Sequence, residues 1–347
     1  MPSENNERRS FLKKSAIAAA ALATGSLSAR SFADKKIIYE PELILPPRLK
    51  SGDTIALTAP AGAIFNDDSI EKATKSFEAE GFRVKHGATL SQKFGYLAGT
   101  DAFRAAELSD LFQDKSVQAI VAMRGGYGCS RILNLLDFDK ILANPKIFSG
   151  FSDITTLLHA IFVKTQLITF HGPVGNSTLD GFTMENFLRI VKDGEALKMV
   201  QPANDPATII SEGKISGKLL GGNLSVLCSC IGTGYLPEFA NSILFLEETE
   251  EEPYQIDRYL TQLELTGIIG RVSGIVFGKC TKCDAEEPDK SFSVQDILLE
   301  KFNNLYMPVI TNFSFGHVKD KFTFPLGAMA TFDTADSSLT LNHSCVS

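Results

Sequence analysis

Residues 148–154 read Phe-Ser-Gly-Phe-Ser-Asp-Ile, and this stretch decides how the middle of the chain folds. It follows an apolar run and precedes apolar residues at helical spacing, so Ser152 falls at a tight turn from strand to helix. A serine at such a turn projects its hydroxyl above the sheet, and the N–H of Asp153 points towards a developing oxyanion. The second glycine of a G-x-S-x-G elbow is absent, so a polar turn with Ser152 or Asp153 as helix N-cap is the alternative.

Short apolar segments alternate with helical ones on both sides of this turn. Strands are predicted at 55–58, 82–85, 117–123 and 146–149, and helices at 67–80, 101–112 and 130–136. The run Val117–Met123 is apolar except for Gln118, as in a strand buried on both faces, and it ends in Arg124-Gly125-Gly126-Tyr127-Gly128. The pattern predicts a doubly wound α/β domain whose ligand site lies at the carboxyl ends of the strands.

The chain divides at a mixed segment near its middle. Its 347 residues accommodate about two domains. We take residues 176–212, which contain two prolines, as the connection between an N-terminal domain over 45–175 and a C-terminal domain over 213–342. Strands and helices alternate again in the second domain, which ends in two β-type segments. This second domain is therefore predicted to be α/β with mixed strands.

Composition narrows the choice of partners. The formal charge is −7 and 44% of the residues are hydrophobic, with no basic stripe after the N-terminal segment. Nucleic acid is therefore not an expected partner. Cys280-x-x-Cys283 resembles half a zinc site or a redox pair, but no second half has matching spacing. Small buried thiols are the preferred interpretation of the six cysteines, with a local disulfide as the alternative.

The first residues have the features of an export signal. Arg8-Arg9 precedes a short, weakly apolar, alanine-rich stretch, and small residues follow at Ser31-Phe32-Ala33. Residues 1–33 are thus predicted to be a twin-arginine signal peptide, with the mature chain starting near Asp34. Export through the twin-arginine (Tat) machinery would place the protein in the bacterial periplasm. A basic amphipathic helix is the alternative.

Two further segments end in residues that suit hydrolytic chemistry. Glu247 ends the apolar run 243–246, and His317 follows a strand predicted at 308–311. The chain order Ser152, Glu247, His317 permits a triad in which His317 takes the serine proton and Glu247 orients the imidazole. The other acidic residues after Glu247 fit a solvated loop: Glu248, Glu250, Glu251 and Glu252.

Seven motifs occur in an order that resembles one family. They are Arg124-Gly-Gly-Tyr-Gly128, Gly150-Phe-Ser-Asp153, Phe170-His-Gly-Pro173, Gly221-Gly-Asn-Leu224, Leu246-Glu-Glu248, Phe315-Gly-His317 and Phe324-Pro-Leu-Gly327. Together they resemble the LD-carboxypeptidase family of serine peptidases. That family includes murein tetrapeptide carboxypeptidases and microcin C immunity peptidases. The resemblance runs from about Leu45 to about Leu341.

The resemblance implies a fold and a set of site residues. It implies a flavodoxin-like N-terminal domain and a smaller C-terminal domain, with the site between them. The implied nucleophile is Ser152, the acid is Glu247 and the base is His317. The implied oxyanion hole consists of the N–H groups of Gly126 and Asp153. No metal and no organic cofactor is expected.

The expected activity is removal of the terminal D-Ala from a peptidoglycan tetrapeptide through an acyl-enzyme. A muropeptide or stem peptide would be the substrate, and a homodimer is compatible with the sequence. A carboxypeptidase needs a cation for the terminal carboxylate, and Arg124 and Arg104 are the candidates, with a structural ion pair as the alternative. Tyr127 is a further candidate for binding the substrate. Three alternatives stay open. They are an immunity-type peptidase for peptide–nucleotide conjugates, a non-catalytic muropeptide-binding protein, and an amidotransferase-like thiol enzyme that uses Cys129.

Overall fold

A computed structural model describes residues 42–347, so the predicted signal peptide lies outside the described residues. The strands are β1 (Thr54–Thr58), β2 (Arg83–His86), β3 (Ala119–Ala122), β4 (Ile147–Gly150), β5 (Thr169–His171), β6 (Lys198–Val200), β7 (Thr208–Ser211), β8 (Lys214–Asn223), β9 (Ser242–Thr249), β10 (Gly274–Thr281), β11 (Val309–Phe313), β12 (Phe324–Leu326), β13 (Met329–Asp333) and β14 (Ser338–Leu341). The helices are α1 (Asp68–Ala79), α2 (Asp101–Gln113), α3 (Cys129–Ile132), α4 (Phe138–Leu142), α5 (Thr155–Thr165), α6 (Gly181–Val191), α7 (Leu224–Ser229), α8 (Pro253–Leu265) and α9 (Val294–Phe302).

The first sheet has the strand order of a flavodoxin-like domain. Strands β2-β1-β3-β4-β5 are parallel in that order, and β12 adds an antiparallel strand beside β5. The order reverses between β1 and β3, and ligands bind at such a switch point, outside the carboxyl ends of the strands. The glycine-rich turn 124–128 follows β3 and Ser152 follows the neighbouring β4. The predicted fold class is confirmed, and the sheet places both motifs at one edge.

The second sheet is mixed and contains eight strands, in the order β6-β14-β13-β8-β9-β10-β11-β7. Its central strands β8, β9, β10 and β11 are parallel, so their carboxyl ends share one edge. Glu247 lies near the end of β9, beside Asn223 at the end of β8. His317 follows β11 at the same edge.

Helix α5 and an aromatic cluster join the two sheets. Helix α5 contacts β4, β5 and β12 of the first sheet and β8 of the second. The rings of Phe315 and Phe324 stack with centroids 4.5 Å apart, and Phe245 of β9 packs edge-on against Phe324 at 5.1 Å. All three side chains are fully buried. The carboxyl edges of the two sheets therefore meet over a continuous core.

Several elements of the structure cross the predicted domain boundaries. The segment 176–212 is more than a connection, because it forms α6 and strands β6 and β7 of the second sheet. Strand β12, placed in the C-terminal domain by its position in the sequence, belongs to the sheet of the N-terminal domain. A single short strand pairs with whichever edge tertiary packing offers, and a local pattern does not record that choice.

Three further findings concern cysteines, membranes and metals. The six cysteines are free thiols, five of them buried and Cys280 half-buried. Within residues 42–347, no helix combines the length and hydrophobicity that crossing a membrane requires. The same residues contain no group of three or more His, Cys, Asp or Glu side chains arranged to hold a metal ion.

Candidate active site

Ser152 occupies the strained turn that the sequence predicted. Its φ is +64°, a left-handed conformation that costs free energy in a residue other than glycine and is concentrated at functional sites. A 3₁₀ turn, Ser152–Ile154, links β4 to α5. Gly150 permits the sharp bend, because a Cβ there would lie 2.8 Å from the side chain of Ile154. The fold therefore holds this serine at the carboxyl edge of the first sheet.

The glycine-rich turn after β3 packs directly against Ser152. A Cβ on Gly125 would lie 2.7 Å from the Ser152 Cβ, so only glycine permits this approach. The Asp153 carboxylate accepts a 2.8 Å hydrogen bond from the Cys129 N–H, which ties the two turns together. Burial raises the pKa of Asp153 against this bond. In the described part of the chain, the N–H groups of Gly126 and Asp153 donate to no other protein group, so both remain free to donate to an oxyanion.

Glu247 is fully buried and oriented towards His317. Its Oε2 accepts a 2.7 Å hydrogen bond from His317 Nδ1 and a 3.2 Å bond from the His317 backbone N–H. A carboxylate bound to Nδ1 fixes the imidazole orientation and leaves Nε2 available to accept a proton. Two residues that are 70 positions apart in the sequence thus form the hydrogen-bonded carboxylate–imidazole pair that a triad would need.

His171, to which the sequence assigned no role, lies on the other side of this carboxylate. Its Nε2 is 3.8 Å from Glu247 Oε1, too far for a hydrogen bond but close enough for charge interaction. Burial opposes ionisation of Glu247, but the two imidazoles outweigh it and lower the pKa of Glu247 to about 2. The carboxylate is therefore ionised at neutral pH. The motif Phe170-His-Gly-Pro173 was the available signal for His171, but it indicated no contact.

Glu247 strengthens His317 as a base. Burial lowers the pKa of His317, but the hydrogen bond and the negative charge of Glu247 outweigh it and raise that pKa above its ordinary value. The edge of the His317 ring packs against Phe151, the residue before Ser152, with ring centroids 4.8 Å apart. No hydrogen bond joins Ser152 to His317 within residues 42–347. Such bonds often form only when substrate is bound.

Gly316 is required for the contact between Glu247 and His317. Its φ is +78°, and a Cβ at this position would lie 2.2 Å from Glu247 Oε2. The backbone can wrap closely around the carboxylate only because this side chain is absent. The sequence contained the Phe315-Gly-His317 motif, but the reason for its glycine becomes visible only in the folded chain.

The acidic run after Glu247 is only in part the solvated loop that the sequence predicted. Glu248 is buried and accepts hydrogen bonds from Asn223 Nδ2 and the Ser225 N–H, each at 2.7 Å. Burial raises its pKa. Glu250 is exposed and pairs with Lys282, and Glu252 caps α8. The prediction was therefore wrong for Glu248, because the strand continues three residues further than the apolar run, to Thr249.

The three residues proposed to bind substrate differ in how accessible their side chains are to a ligand. Arg104 is fully buried, and the prediction for it was wrong because its guanidinium is occupied by protein groups. Its acceptors are the carbonyl oxygens of Pro60, Gly99 and Gly128 and the carboxylate of Asp101. Arg124 is half-buried and donates a 3.3 Å bond to the Ala63 carbonyl. Tyr127 is half exposed and packs against Tyr96, so Arg124 and Tyr127 are accessible to a ligand and Arg104 is not.

Cys129 does not have the properties of a nucleophile. Its thiol is fully buried, and burial together with the nearby Asp153 carboxylate raises its pKa well above the ordinary value. A reactive cysteine needs access and a lowered pKa. The thiol-enzyme alternative therefore has no support at this position.

Gly221-Gly222-Asn223 joins the two sheets beneath the site. The Gly221 carbonyl contacts His159 Nε2 of α5 at 2.8 Å, and the Asn223 N–H donates to Thr155 Oγ1 at 3.2 Å. A Cβ on Gly222 would lie 2.5 Å from Thr155, so glycine is needed for this close approach. These contacts between β8 and α5 set the position of Glu247 relative to the helix that follows Ser152.

Comparison with known proteins places this geometry in a family. Models of the LD-carboxypeptidase N-terminal and C-terminal domains match residues 55–172 and 216–332. The chain is 35% identical over 298 residues to a probable murein peptide carboxypeptidase of Bacillus subtilis. This alignment covers 84% of this chain and 92% of that protein. The chain belongs to the LD-carboxypeptidase family.

Two solved structures show the same fold. The muramoyltetrapeptide carboxypeptidase of Oxalobacter formigenes superposes with a TM-score of 0.74 at 28% identity, covering 83% of this chain and 97% of that one. The microcin C7 self-immunity protein MccF, in complex with aspartyl sulfamoyl adenosine, superposes with a TM-score of 0.82 at 26% identity, covering 88% and 100%. The fold alone does not separate these two activities.

Proposed function

We propose that this protein is a serine LD-carboxypeptidase that removes the terminal D-Ala from peptidoglycan tetrapeptides. The observation that carries the proposal is the buried Glu247–His317 pair beside a strained serine at a strand-to-helix turn. The similarity to the probable murein peptide carboxypeptidase of Bacillus subtilis supports the choice of substrate. Ser152, Glu247 and His317 are the residues to which we assign catalysis.

The reaction proceeds in two halves. The Ser152 hydroxyl attacks the carbonyl of the L-centre before D-Ala while His317 Nε2 takes its proton, and the Gly126 and Asp153 N–H groups stabilise the oxyanion. The C–N bond then breaks, and His317 returns the proton to the amine of the leaving D-Ala. Water, deprotonated by His317, cleaves the acyl-enzyme and restores Ser152. Glu247 remains ionised throughout and stabilises the imidazolium.

The purified protein is expected to release one D-Ala from a tetrapeptide muropeptide. It should leave the pentapeptide intact, because the terminal bond of the pentapeptide joins two D-residues. Mass spectrometry of timed digests measures both products. The Ser152→Ala variant, assayed in parallel, controls for a contaminating peptidase.

The superposition on MccF favours one second candidate, an immunity-type peptidase that acts on aminoacyl or peptidyl nucleotide conjugates. Cleavage of aspartyl sulfamoyl adenosine without release of D-Ala from the tetrapeptide would move the assignment to that candidate. Binding of muropeptide without any cleavage would instead support the non-catalytic alternative.

We further propose that the protein is exported through the twin-arginine pathway to the periplasm, where its substrate lies. The weakly apolar stretch after Arg8-Arg9 supports this route, since a strongly apolar one favours general secretion. The double substitution Arg8→Lys, Arg9→Lys is expected to hold the protein in the cytoplasm, measured by fractionation. The control is the double substitution Lys13→Arg, Lys14→Arg, which conserves charge outside the Arg8-Arg9 pair. This variant should be exported normally. An unchanged periplasmic yield of the first variant would contradict the proposal.

A further inference from the structure

Lys321 is a buried cation without an anionic partner. It lies in the segment between His317 and β12, and only 4% of the residue is exposed. In residues 42–347, no carboxylate lies within 4 Å of its Nζ, and this atom donates no hydrogen bond to a protein group. Burying an unpaired ammonium costs free energy, because the charge loses its hydration and gains no anion in return. A fold therefore retains such a group only where another interaction or a function compensates for this cost.

The ammonium lies beside the catalytic groups. Its Nζ is 5.3 Å from the centroid of the Phe151 ring, the same ring that packs against His317. Phe151 immediately precedes Ser152. One aromatic ring therefore brings the cation, the base and the nucleophile into one neighbourhood. Burial lowers the pKa of Lys321 to about 8, against the opposing effects of Glu247 and Asp320, so Lys321 is mainly protonated at neutral pH.

The other cations of the site are less suitable. Arg104 is occupied by protein acceptors, and Arg124 is only half-buried and already donates to the Ala63 carbonyl. Lys319, two residues before Lys321, is exposed. A charge interaction with a ligand is stronger where water is excluded, which favours the most buried cation.

We propose that the Lys321 ammonium binds the terminal carboxylate of the peptide substrate and thereby limits cleavage to the last residue. This inference rests on the proposed carboxypeptidase function. A peptide that extends beyond the scissile bond by one residue would bring its carboxylate near the nucleophile, where Lys321 lies. The same carboxylate would supply the partner that the buried cation lacks. An amidated or longer terminus would leave the cation unpaired.

The test compares a tetrapeptide with a free carboxylate and the same tetrapeptide with a C-terminal amide. Lys321→Met keeps most of the side chain over Phe151 but removes the charge. We expect it to lower kcat/KM for the free acid by about 30-fold or more and to change cleavage of the amide little. Lys321→Arg should recover part of the preference, and Lys319→Met should behave as wild type.

A second measurement does not depend on turnover. In the Ser152→Ala background, calorimetry gives Kd for the acid and the amide with and without Lys321→Met. We expect Lys321→Met to weaken binding of the acid and to leave binding of the amide unchanged. The four Kd values form a double-mutant cycle, which isolates the interaction energy between the Lys321 charge and the carboxylate. Circular dichroism and thermal melting of each variant establish that it is folded.

Four results would overturn the inference. Equal losses on the acid and the amide would indicate a structural or general role for Lys321, and an unchanged preference would remove it from the site. Loss of the preference in Arg124→Met alone would assign the carboxylate to Arg124. If the wild-type enzyme released no D-Ala from the free acid, the proposed function itself would fail, and this inference with it.

Discussion

Replacing Ser152 or His317 with alanine is expected to reduce turnover by about 10³-fold or more, and replacing both is expected to cost little beyond either one. In the proposed mechanism the serine supplies the attacking oxygen and the histidine accepts its proton, so neither residue can act without the other. Ser152→Ala keeps a β-carbon at the same strained φ, which makes it a fair probe of the hydroxyl alone. Release of D-Ala under single-turnover and steady-state conditions measures the effect.

Controls for this prediction come from the same chain. His343→Ala removes an exposed imidazole and should leave turnover unchanged. Glu247→Gln should lose less activity than the alanine variants, because an amide oxygen can still accept from His317 although the negative charge is gone. Multiplicative losses in the Ser152→Ala, His317→Ala double variant would show independent roles. Full activity of Ser152→Ala would exclude the serine mechanism.

Gly316→Ala is expected to reduce turnover by about 10²-fold or more while the protein stays folded. The new Cβ would need the space of the Glu247 carboxylate, 2.2 Å away, so the backbone of His317 or the carboxylate must move. Displacing a catalytic base by about 1 Å is enough for a loss of this size. Steady-state kinetics on the tetrapeptide and a thermal melt separate loss of geometry from loss of fold.

The matched control for this variant is Gly267→Ala. Gly267 has a φ of +74°, nearly that of Gly316, but a Cβ there meets no atom within 4 Å. Both variants therefore carry the same backbone strain, and only one carries the clash. If the two variants were equally active, the closeness of Gly316 to Glu247 would have no catalytic meaning.

The sequence predicted features that depend on neighbouring residues. The turn at Ser152 follows from an apolar run, a glycine and a helical pattern within about a dozen residues. Alternating apolar segments likewise predicted the parallel sheet, because a strand buried on both faces is apolar along its whole length. Glu247 and His317 were selected as the residues that end or follow such strands, and the structure places them in hydrogen-bond contact.

What the sequence did not predict depends on contacts between distant segments. Arg104 was a candidate for binding the substrate carboxylate, yet its acceptors include the carbonyl groups of Pro60 and Gly128 in two other turns. His171 lies beside Glu247, and Lys321 lies over the ring of Phe151. Both partners are far away in the sequence. Glu248 is buried because Asn223 of the neighbouring strand supplies a partner. Contacts with such distant partners produce no periodicity or spacing in the sequence around the residue itself.

The path of the chain from β11 to β12 limits how such enzymes can be recombined. Strand β11 belongs to the second sheet and β12 to the first, and His317 lies on the segment between them. The two halves are therefore not interchangeable modules, since the second half carries an edge strand of the first. A chimera made from two relatives would have to match the β5–β12 pairing as well as the linker. The proposed nucleophile and the proposed base are in this sense inherited together, although the chain encodes them in separate domains.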